Sequence, residues 1–226
     1  MKADQKNIIN VFDKLLGRFG QLSWWPADSP FEVCAGAILT QNTAWSNVER
    51  AILNLKSSGL LSPEALQDVS HESLAALIRP AGYFNVKSRR LKDFVAWLFV
   101  HYNGSLEQMF SEPWRDLRDK LLTVRGIGPE TCDSILLYAG GKPSFVVDAY
   151  TRRLFHRLGM LPEKAGYEET RNLFIMNLPE DVGLYNEYHA LIVELCKRFC
   201  IKRPHCQGCP LSDCCPVGNA AGNFSH

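Results

Sequence analysis

Two helices joined by a tight turn are predicted by the stretch Leu121-Leu-Thr-Val-Arg-Gly126-Ile-Gly128-Pro129-Glu-Thr-Cys-Asp-Ser-Ile135. Gly126 and Gly128 permit backbone conformations that would strain other residues, and Pro129 suits the first position of the following helix. The backbone N–H groups around the turn then point at one spot, a geometry that binds phosphate. A lone Gly-x-Gly can equally be a plain helix C-cap, but an apolar helix on each side makes this pattern more specific.

The rest of the chain predicts an almost entirely helical fold. Apolar residues recur at helical spacing, and short Gly, Pro and Ser breaks separate the segments. No strand-like alternation is longer than 143–147, and the tail after Pro216 has the composition of a disordered segment. The predicted helices cover 8–19, 31–39, 47–55, 91–101, 117–124, 134–138, 151–158, 167–176 and 185–199.

Length and composition predict a cytoplasmic protein that does not enter a membrane. Of its 226 residues 46% are hydrophobic and 22% charged, no apolar run approaches a membrane span, and the N-terminus lacks the apolar stretch of a signal peptide. In a reducing cytosol, clustered cysteines bind metal more readily than they form disulfides. The net charge of +1 does not indicate a nucleic-acid partner, so such a partner requires a local basic patch.

Five of the eight cysteines lie between residues 200 and 215. With Cys200, Cys206, Cys209 and Cys215 as ligands the spacing is C-x5-C-x2-C-x5-C, although Cys214 could replace Cys215. All-thiolate ligation suits either tetrahedral zinc or an iron–sulfur cube. Structural zinc sites usually carry two C-x2-C pairs, whereas this segment has one tight pair and two wide gaps. The spacing therefore favours a 4Fe–4S cluster over zinc.

The loop between the first two of these cysteines is basic, with Lys202, Arg203 and His205 in it and Lys197 and Arg198 before it. A rigid metal cluster would hold these cations on one face, where they suit contacts with nucleic-acid phosphates. The alternative is an ordinary solvated loop, and the phosphate-binding turn upstream favours the first interpretation.

An acidic residue, Asp148, follows the apolar stretch 145–147 and precedes a predicted helix. It can act as the N-cap of that helix. A carboxylate in a phosphate-binding protein is electrostatically unfavourable unless the chemistry needs it. Cleavage of a glycosidic bond does need one, because the departing base leaves an oxocarbenium-like sugar that a carboxylate stabilises.

The hairpin, the downstream Val-Val-Asp148 and the trailing cysteines, in this order and spacing, resemble the helix-hairpin-helix (HhH-GPD) DNA glycosylases of the endonuclease III type. The resemblance extends from about Phe31 to Cys215. It implies an all-α fold with two helical lobes and a C-terminal four-cysteine iron–sulfur loop. A six-helix barrel would span 30–140, with the hairpin at about 113–139. Residues 1–29 and 141–215 would form the cluster lobe, and 216–226 a disordered tail.

The resemblance also implies a monomeric enzyme that binds double-stranded DNA between its lobes and flips out a damaged base. Asp148 occupies the position of the family's catalytic aspartate. Gln41, in Leu39-Thr-Gln-Asn-Thr, occupies the position of a side chain that fills the gap left by the flipped base. Without that role, Gln41 would be an ordinary surface helix end.

The segment 79–87 resembles the family's second minor-groove loop, in which Tyr83, Phe84 or Asn85 could wedge opposite the flipped base. An ordinary turn with aromatic residues packed into the core is the alternative. His189, on the predicted helix that leads to the cysteines, could face the cleft or be a hydrogen-bonded structural histidine.

Glu130 is the important departure from the family pattern. Bifunctional endonuclease III enzymes carry a lysine at this position, in Gly-x-Gly-x-Lys, and its amine forms a Schiff base with the sugar and cuts the strand. A carboxylate cannot form a Schiff base, so the lyase activity does not carry over. Lys142 lies past the helix and does not match the lyase position, but the sequence leaves its amine open as an alternative.

Three tryptophans, together with Glu130, stand where the resemblance places a base pocket. Trp24 and Trp25 precede the first predicted barrel helix, and Trp45 follows Gln41. Aromatic faces stack on bases, and a cationic alkylated purine gains a further cation–π attraction. Adjacent tryptophans together with Glu130 resemble the 3-methyladenine branch of the superfamily, although these tryptophans could also be core residues.

The sequence therefore predicts a monofunctional glycosylase of base excision repair that excises an alkylated, 3-methyladenine-like base and leaves an abasic site. Asp148 would stabilise the sugar cation or activate water, and the hairpin, Lys202 and Arg203 would hold phosphates. One alternative is a bifunctional glycosylase and lyase acting on oxidised pyrimidines. The other is a non-catalytic DNA-binding or redox-sensing protein on the same scaffold.

Overall fold

The computed structural model describes residues 3–22, Trp25 and 27–222, and these residues form two compact units. The central unit is Trp25–Lys142, and the terminal unit combines Met1–Trp24 with Pro143–His226. The described residues contain no β-strand, which confirms the predicted all-α fold. None of their helices combines the length and apolarity that a bilayer crossing requires. The α-helices are α1 (Ala3–Phe19), α2 (Pro30–Leu39), α3 (Trp45–Ser57), α4 (Pro63–Asp68), α5 (His71–Leu77), α6 (Phe84–Tyr102), α7 (Leu106–Ser111), α8 (Trp114–Leu122), α9 (Pro129–Ser134), α10 (Ala149–Arg157), α11 (Tyr167–Ile175), α12 (Val182–Arg198) and α13 (Pro216–Gly222).

Helix α2 runs through the core of the central unit. Ser29 caps it by accepting a hydrogen bond from the Glu32 N–H at 3.2 Å, and Pro30 occupies the first helical position. All nine residues from Phe31 to Leu39 are buried, as expected of a helix enclosed by other helices. Fully buried apolar side chains in the same core include Val48, Leu55, Leu66, Leu74, Leu91, Phe94, Leu98, Leu117 and Leu121. Each such side chain contributes roughly 1.5–3 kcal/mol when it leaves water.

Helix α6 begins at Phe84, seven residues before the predicted start at position 91. Five of its first seven residues are polar, and Phe84 and Val86 alone do not establish a helical period. Two of these polar residues, Lys87 and Ser88, are nevertheless buried, at 1% and 0% exposed. Tyr83 and Asn103 flank the helix in the left-handed conformation, with φ of 45° and 50°.

An aromatic cluster forms the core of the terminal unit. Phe145 stacks on Phe174 with 3.8 Å between ring centroids, and Tyr188 packs edge-on against Phe174 at 5.6 Å. Tyr188 also fixes helix α1, because its hydroxyl donates a hydrogen bond of 2.8 Å to the Ile8 carbonyl and its ring contacts Phe12. Helices α1, α10 and α12 pack together around this cluster.

The tail predicted to be disordered is partly helical, because α13 occupies Pro216–Gly222. Proline at its start is compatible with a first helical turn, and the Asn219 N–H donates to the Cys215 carbonyl at 2.9 Å. Gly218 is buried, and a Cβ there would lie 2.9 Å from the Ser212 backbone. The close packing of this glycine on Ser212 is a tertiary contact that composition alone does not show. Residues 223–226 lie outside the described residues.

Candidate functional sites

The Gly-rich turn joins α8 to α9 in the central unit. Gly126 has a φ of +87°, in the region that favours glycine, and a Cβ at this position would lie 2.4 Å from Arg90 Cγ. Gly128 is the N-cap residue of α9, and its carbonyl accepts from the Cys132 N–H at 2.9 Å. Ile127, between the glycines, is buried and anchors the turn. The sequence therefore needs glycine at 126 for two reasons, backbone conformation and the passage of Arg90.

Gln41 lies against this turn. Its amide nitrogen donates to the Gly126 carbonyl at 3.0 Å and to Thr131 Oγ1 at 2.8 Å. Its amide oxygen accepts a hydrogen bond from Arg90 Nη1. Gln41 and the hairpin, predicted separately as DNA contacts, are thus neighbours within one unit. The sequence analysis did not identify Arg90.

The segment that contains Tyr83 and Asn85 is tied to the Gln41 loop through one carbonyl. The Ala81 carbonyl accepts from Thr43 Oγ1 at 2.7 Å and from the buried Lys87 ammonium at 2.7 Å. Lys87 also donates to the carbonyl of Leu39, the last residue of α2, at 2.8 Å. Burial, followed by the positive charge of Arg90, lowers the pKa of Lys87 to about 8.

The side chains of this segment differ in exposure. Tyr83 is 71% exposed and Asn85 is also exposed, so both are accessible to a macromolecule. Phe84 is half-buried, packs against the core and lies under the Arg79 guanidinium at 5.8 Å. The core-packing alternative therefore describes Phe84 but not Tyr83.

Trp25 and Trp45 meet at the side of α2. Their rings are 5.1 Å apart at 74°, and Trp25 stacks on Tyr138 at 5.0 Å and 27°. Trp25 has a φ of 64° and lies on Gly36, where a Cβ would be 3.2 Å from its ring. Trp24 lies outside the described residues.

A cavity of about 300 Å³ opens beside the two tryptophans, large enough for a small planar ligand. Its lining is mixed: aromatic and aliphatic faces alternate with carboxylates. Glu49 accepts from the Trp45 indole N–H at 2.7 Å, and the buried Glu32 forms an ion pair of 2.8 Å with Lys56. Glu130 is exposed on α9 and does not line this cavity. The lining residues are Trp25, Glu32, Gly36, Trp45, Glu49, Ile52, Leu53 and Lys56.

Asp148 is the N-cap of α10 in the terminal unit. Its Oδ1 accepts from the Thr151 N–H at 2.7 Å and from Thr151 Oγ1 at 2.8 Å. Its Oδ2 lies 3.6 Å from His189 Nε2, within ion-pair distance when the imidazole is protonated. Burial alone would raise the pKa of Asp148, but His189 and the two Thr151 donors outweigh it and lower the pKa below its usual value.

Asp148 is therefore held as a carboxylate, with one oxygen engaged by the cap and the other directed to His189. Its side chain remains 15% exposed. An ionised carboxylate in this state can stabilise a developing positive charge. His189, for which the sequence left both a cleft-facing and a structural role open, is a partner of the predicted catalytic residue.

The four predicted ligand cysteines line one cavity in the terminal unit. Cys200, Cys206, Cys209 and Cys215 border it together with apolar side chains of α10 and α12. Cys214 is exposed, and its thiol donates to the Leu211 carbonyl at 3.5 Å. Among the residues described, no three His, Cys, Asp or Glu side chains converge closely enough to hold one metal ion. The four-cysteine iron–sulfur loop therefore stays a prediction.

Two arginines of α10 hold the start of the basic loop. Arg153 Nε donates to the Cys200 carbonyl at 2.7 Å, and Arg157 donates to the carbonyls of Ile201 and Lys202 at 2.7 and 2.9 Å. Arg157 Nη1 also lies 3.2 Å from Cys200 Sγ. The neighbouring Cys196 thiol lowers the pKa of Cys200; burial opposes this shift and Arg157 reinforces it. The side chains of Lys202 and Arg203 remain exposed.

Comparison with known proteins identifies the family. The chain belongs to the HhH-GPD superfamily of base excision DNA repair proteins, whose family model matches residues 35–180. A Methanocaldococcus jannaschii protein, named as a candidate DNA repair glycosylase, is 49% identical over 92% of this chain and 95% of its own length. Endonuclease III of Thermotoga maritima is 29% identical over 82% of each chain. The predicted family is therefore confirmed.

Two solved structures are similar to this chain. A non-covalent endonuclease III–DNA complex superposes with a TM-score of 0.84 over 99% of this chain and 100% of that one, at 23% identity, which shows the fold. The Helicobacter pylori 3-methyladenine DNA glycosylase bound to 1,N6-ethenoadenine superposes with a TM-score of 0.71. It is 28% identical and covers 86% of this chain and 95% of its own.

Proposed function

We propose that this base excision repair protein is a monofunctional DNA glycosylase that releases an alkylated, 3-methyladenine-like base and leaves an abasic site. The observation that carries the substrate class is the pair Trp25 and Trp45 beside a cavity bordered by Glu32 and Glu49. Lys56 compensates the charge of Glu32, so the aromatic faces together with Glu49 favour a flat cation, and alkylation at a purine ring nitrogen produces one. The similarity to the H. pylori 3-methyladenine glycosylase supports this choice.

In the proposed reaction, Asp148 acts as the carboxylate. Departure of the base leaves positive charge on the sugar, and an ionised oxygen nearby lowers the energy of that transition state. Because its contacts outweigh burial and lower its pKa, Asp148 is ionised at neutral pH. An alkylated base is a better leaving group because it departs as a neutral molecule, so the protein needs no strong general acid for it.

The absence of lyase activity follows from Glu130. This carboxylate stands at the place where the bifunctional relatives carry the Schiff-base lysine. Among the lysines of the central unit, Lys87 is buried with its amine bound to two carbonyls, which leaves it inaccessible to a sugar carbon.

We also propose that Gln41 and Asn85 contact the duplex at the flipped base, and that the hairpin, Lys202 and Arg203 hold its phosphates. Cys200, Cys206, Cys209 and Cys215 fit a 4Fe–4S cluster, because these four soft donors share one cavity whose remaining walls are largely apolar. Such a cluster would cross-link the basic loop. We propose Cys215 rather than Cys214 as the fourth ligand, because Cys215 borders the cavity and Cys214 does not.

The test is base release from duplexes that contain 3-methyladenine, 7-methylguanine, thymine glycol, or thymine or uracil opposite guanine, with sodium borohydride trapping in parallel. We expect release of the methylated purines and no trapped adduct. Release of thymine glycol with a trapped adduct would establish the bifunctional alternative instead, which the names of the endonuclease III relatives favour. The mismatch duplexes are included because a Pyrobaculum aerophilum relative, 29% identical, is named a thymine/uracil-DNA glycosylase.

A further inference from the structure

The Gln41 side chain forms three hydrogen bonds with other residues of the protein. Both donors of its amide nitrogen are used, one on the Gly126 carbonyl and one on Thr131 Oγ1, and its oxygen accepts from Arg90. A side chain that enters a duplex must give up these three bonds. The structure therefore shows Gln41 in a docked position, held on the hairpin by residues of α6 and α9.

The position and charge of Arg90 suit it to bind a phosphate. Its stem passes over Gly126, with Cγ, Cδ and Nε within 2.4–2.8 Å of where a Cβ would stand, so the guanidinium lies at the phosphate-binding turn. In the part of the chain that the structure describes, no carboxylate forms an ion pair with Arg90, and its hydrogen bond goes to a neutral amide oxygen. The nearby cation, Lys87, is already engaged by two carbonyls.

A guanidinium binds a phosphate more strongly than an amide oxygen, because the phosphate carries a full negative charge and can accept two parallel hydrogen bonds. A phosphate placed on the turn would therefore compete with Gln41 for Arg90. Loss of the Arg90 bond removes one of the three bonds that dock Gln41. Phosphate binding and release of Gln41 are then coupled through one side chain.

We propose that Arg90 helps to hold Gln41 on the hairpin in the free protein and transfers to a DNA backbone phosphate when the duplex binds, which removes one of the three bonds that dock Gln41 and so favours its entry into the duplex. This inference rests on the proposed function, because it takes Gln41 as the side chain that fills the gap. It adds Arg90 as a phosphate contact and Thr131 as part of the docking site.

The test measures affinity for a duplex with a stable abasic analogue between about 50 and 200 mM KCl, in wild type, Arg90→Met and Arg90→Lys. Each phosphate contact contributes about 0.9 to the slope of log affinity against log salt. We expect Arg90→Met to lower the magnitude of the slope by about 0.9 and Arg90→Lys to keep it. An unchanged slope in Arg90→Met would overturn the transfer of Arg90.

Docking is tested by Thr131→Val, which removes one acceptor from Gln41 without changing charge. We expect binding to the abasic duplex to tighten about two- to tenfold with the salt slope unchanged, since one neutral hydrogen bond no longer holds Gln41 back. In a Gln41→Ala background the same substitution should change nothing. Weaker binding by folded Thr131→Val, or the same gain in the Gln41→Ala background, would overturn the docking role.

The outcomes separate this inference from the function beneath it. If wild type neither releases a base nor prefers the abasic duplex over an undamaged one, the proposed function fails, and the inference with it. If wild type does both but the Arg90→Met slope equals the wild-type slope, only the inference about Arg90 fails.

Discussion

Substitution of Asp148 by asparagine separates the observed role of this residue, capping α10, from its proposed role, stabilising positive charge. Thr151 donates two hydrogen bonds to Asp148 Oδ1, of 2.7 and 2.8 Å, and the Oδ1 of asparagine can accept both. Asparagine is also as good an N-cap as aspartate. We therefore expect the free energy of unfolding of Asp148→Asn to lie within about 1 kcal/mol of the wild-type value. Loss of the negative charge should slow base release about 10²- to 10³-fold, equivalent to about 2.7–4 kcal/mol of transition-state stabilisation.

The assay is single-turnover release of a methylated purine with enzyme in excess, combined with urea unfolding of the same preparations. Thr151→Val is the matched control, since it removes one of the two bonds to Oδ1 but leaves the carboxylate. It should cost about 1 kcal/mol of stability and less than tenfold in rate. If folded Asp148→Asn releases base within about fivefold of the wild-type rate, the reasoning that gives Asp148 the catalytic charge is refuted.

The pH dependence of the same rate follows from the direction of the pKa shift. Only the ionised carboxylate stabilises the sugar cation, and the pKa of Asp148 is lowered from 3.8. The fall in rate that its protonation causes should therefore lie below pH 3.8, and none should occur between pH 5 and 8. The free energy of unfolding should fall with pH in the same direction as the rate. Ionised Asp148 stabilises the fold at pH values above the unfolded-state pKa, and this contribution is lost as the pH falls through the lower folded-state pKa.

Three further perturbations follow from the geometry. Gly126→Ala places a methyl group at a φ of +87° and 2.4 Å from Arg90 Cγ. We therefore expect the free energy of unfolding in urea to fall by more than about 1 kcal/mol and DNA binding to weaken. Unchanged stability would contradict the interpretation that this turn requires glycine. After anaerobic reconstitution, Cys215→Ser should lose bound iron and sulfide while Cys214→Ser keeps both, and the reverse pattern would exchange their roles. Lys87→Met takes the lysine donor from the Leu39 carbonyl and one of two side-chain donors from the Ala81 carbonyl, and should cost about 1–3 kcal/mol at pH 7. Because the pKa of Lys87 is lowered to about 8, wild-type stability should rise relative to Lys87→Met between about pH 8 and 10.5, as measured by urea unfolding.

The long helices could be predicted from the sequence because each carries an apolar face at helical spacing. The short helices α4, α5 and α7 were not predicted, because they have too few turns to show a helical period of apolar residues. Their signal is a serine cap instead: Ser62, Ser70 and Ser105 each accept a backbone N–H three residues ahead. Helix α13 was not predicted for a different reason: Gly218 packs on Ser212, and such a tertiary contact leaves no local sequence pattern.

For the candidate sites, sequence separation decides what could be foreseen. The cap of Asp148 joins residues three apart, so the residue types alone predict it. Gln41 is 85 residues from the carbonyl that holds it and 49 from Arg90, and no local pattern reports such bonds. A family resemblance can supply the position of Gln41, but it cannot supply the arginine that this chain places against it. The structure therefore adds the residues that restrain the Gln41 side chain in the free protein, and two of these are Arg90 and Thr131.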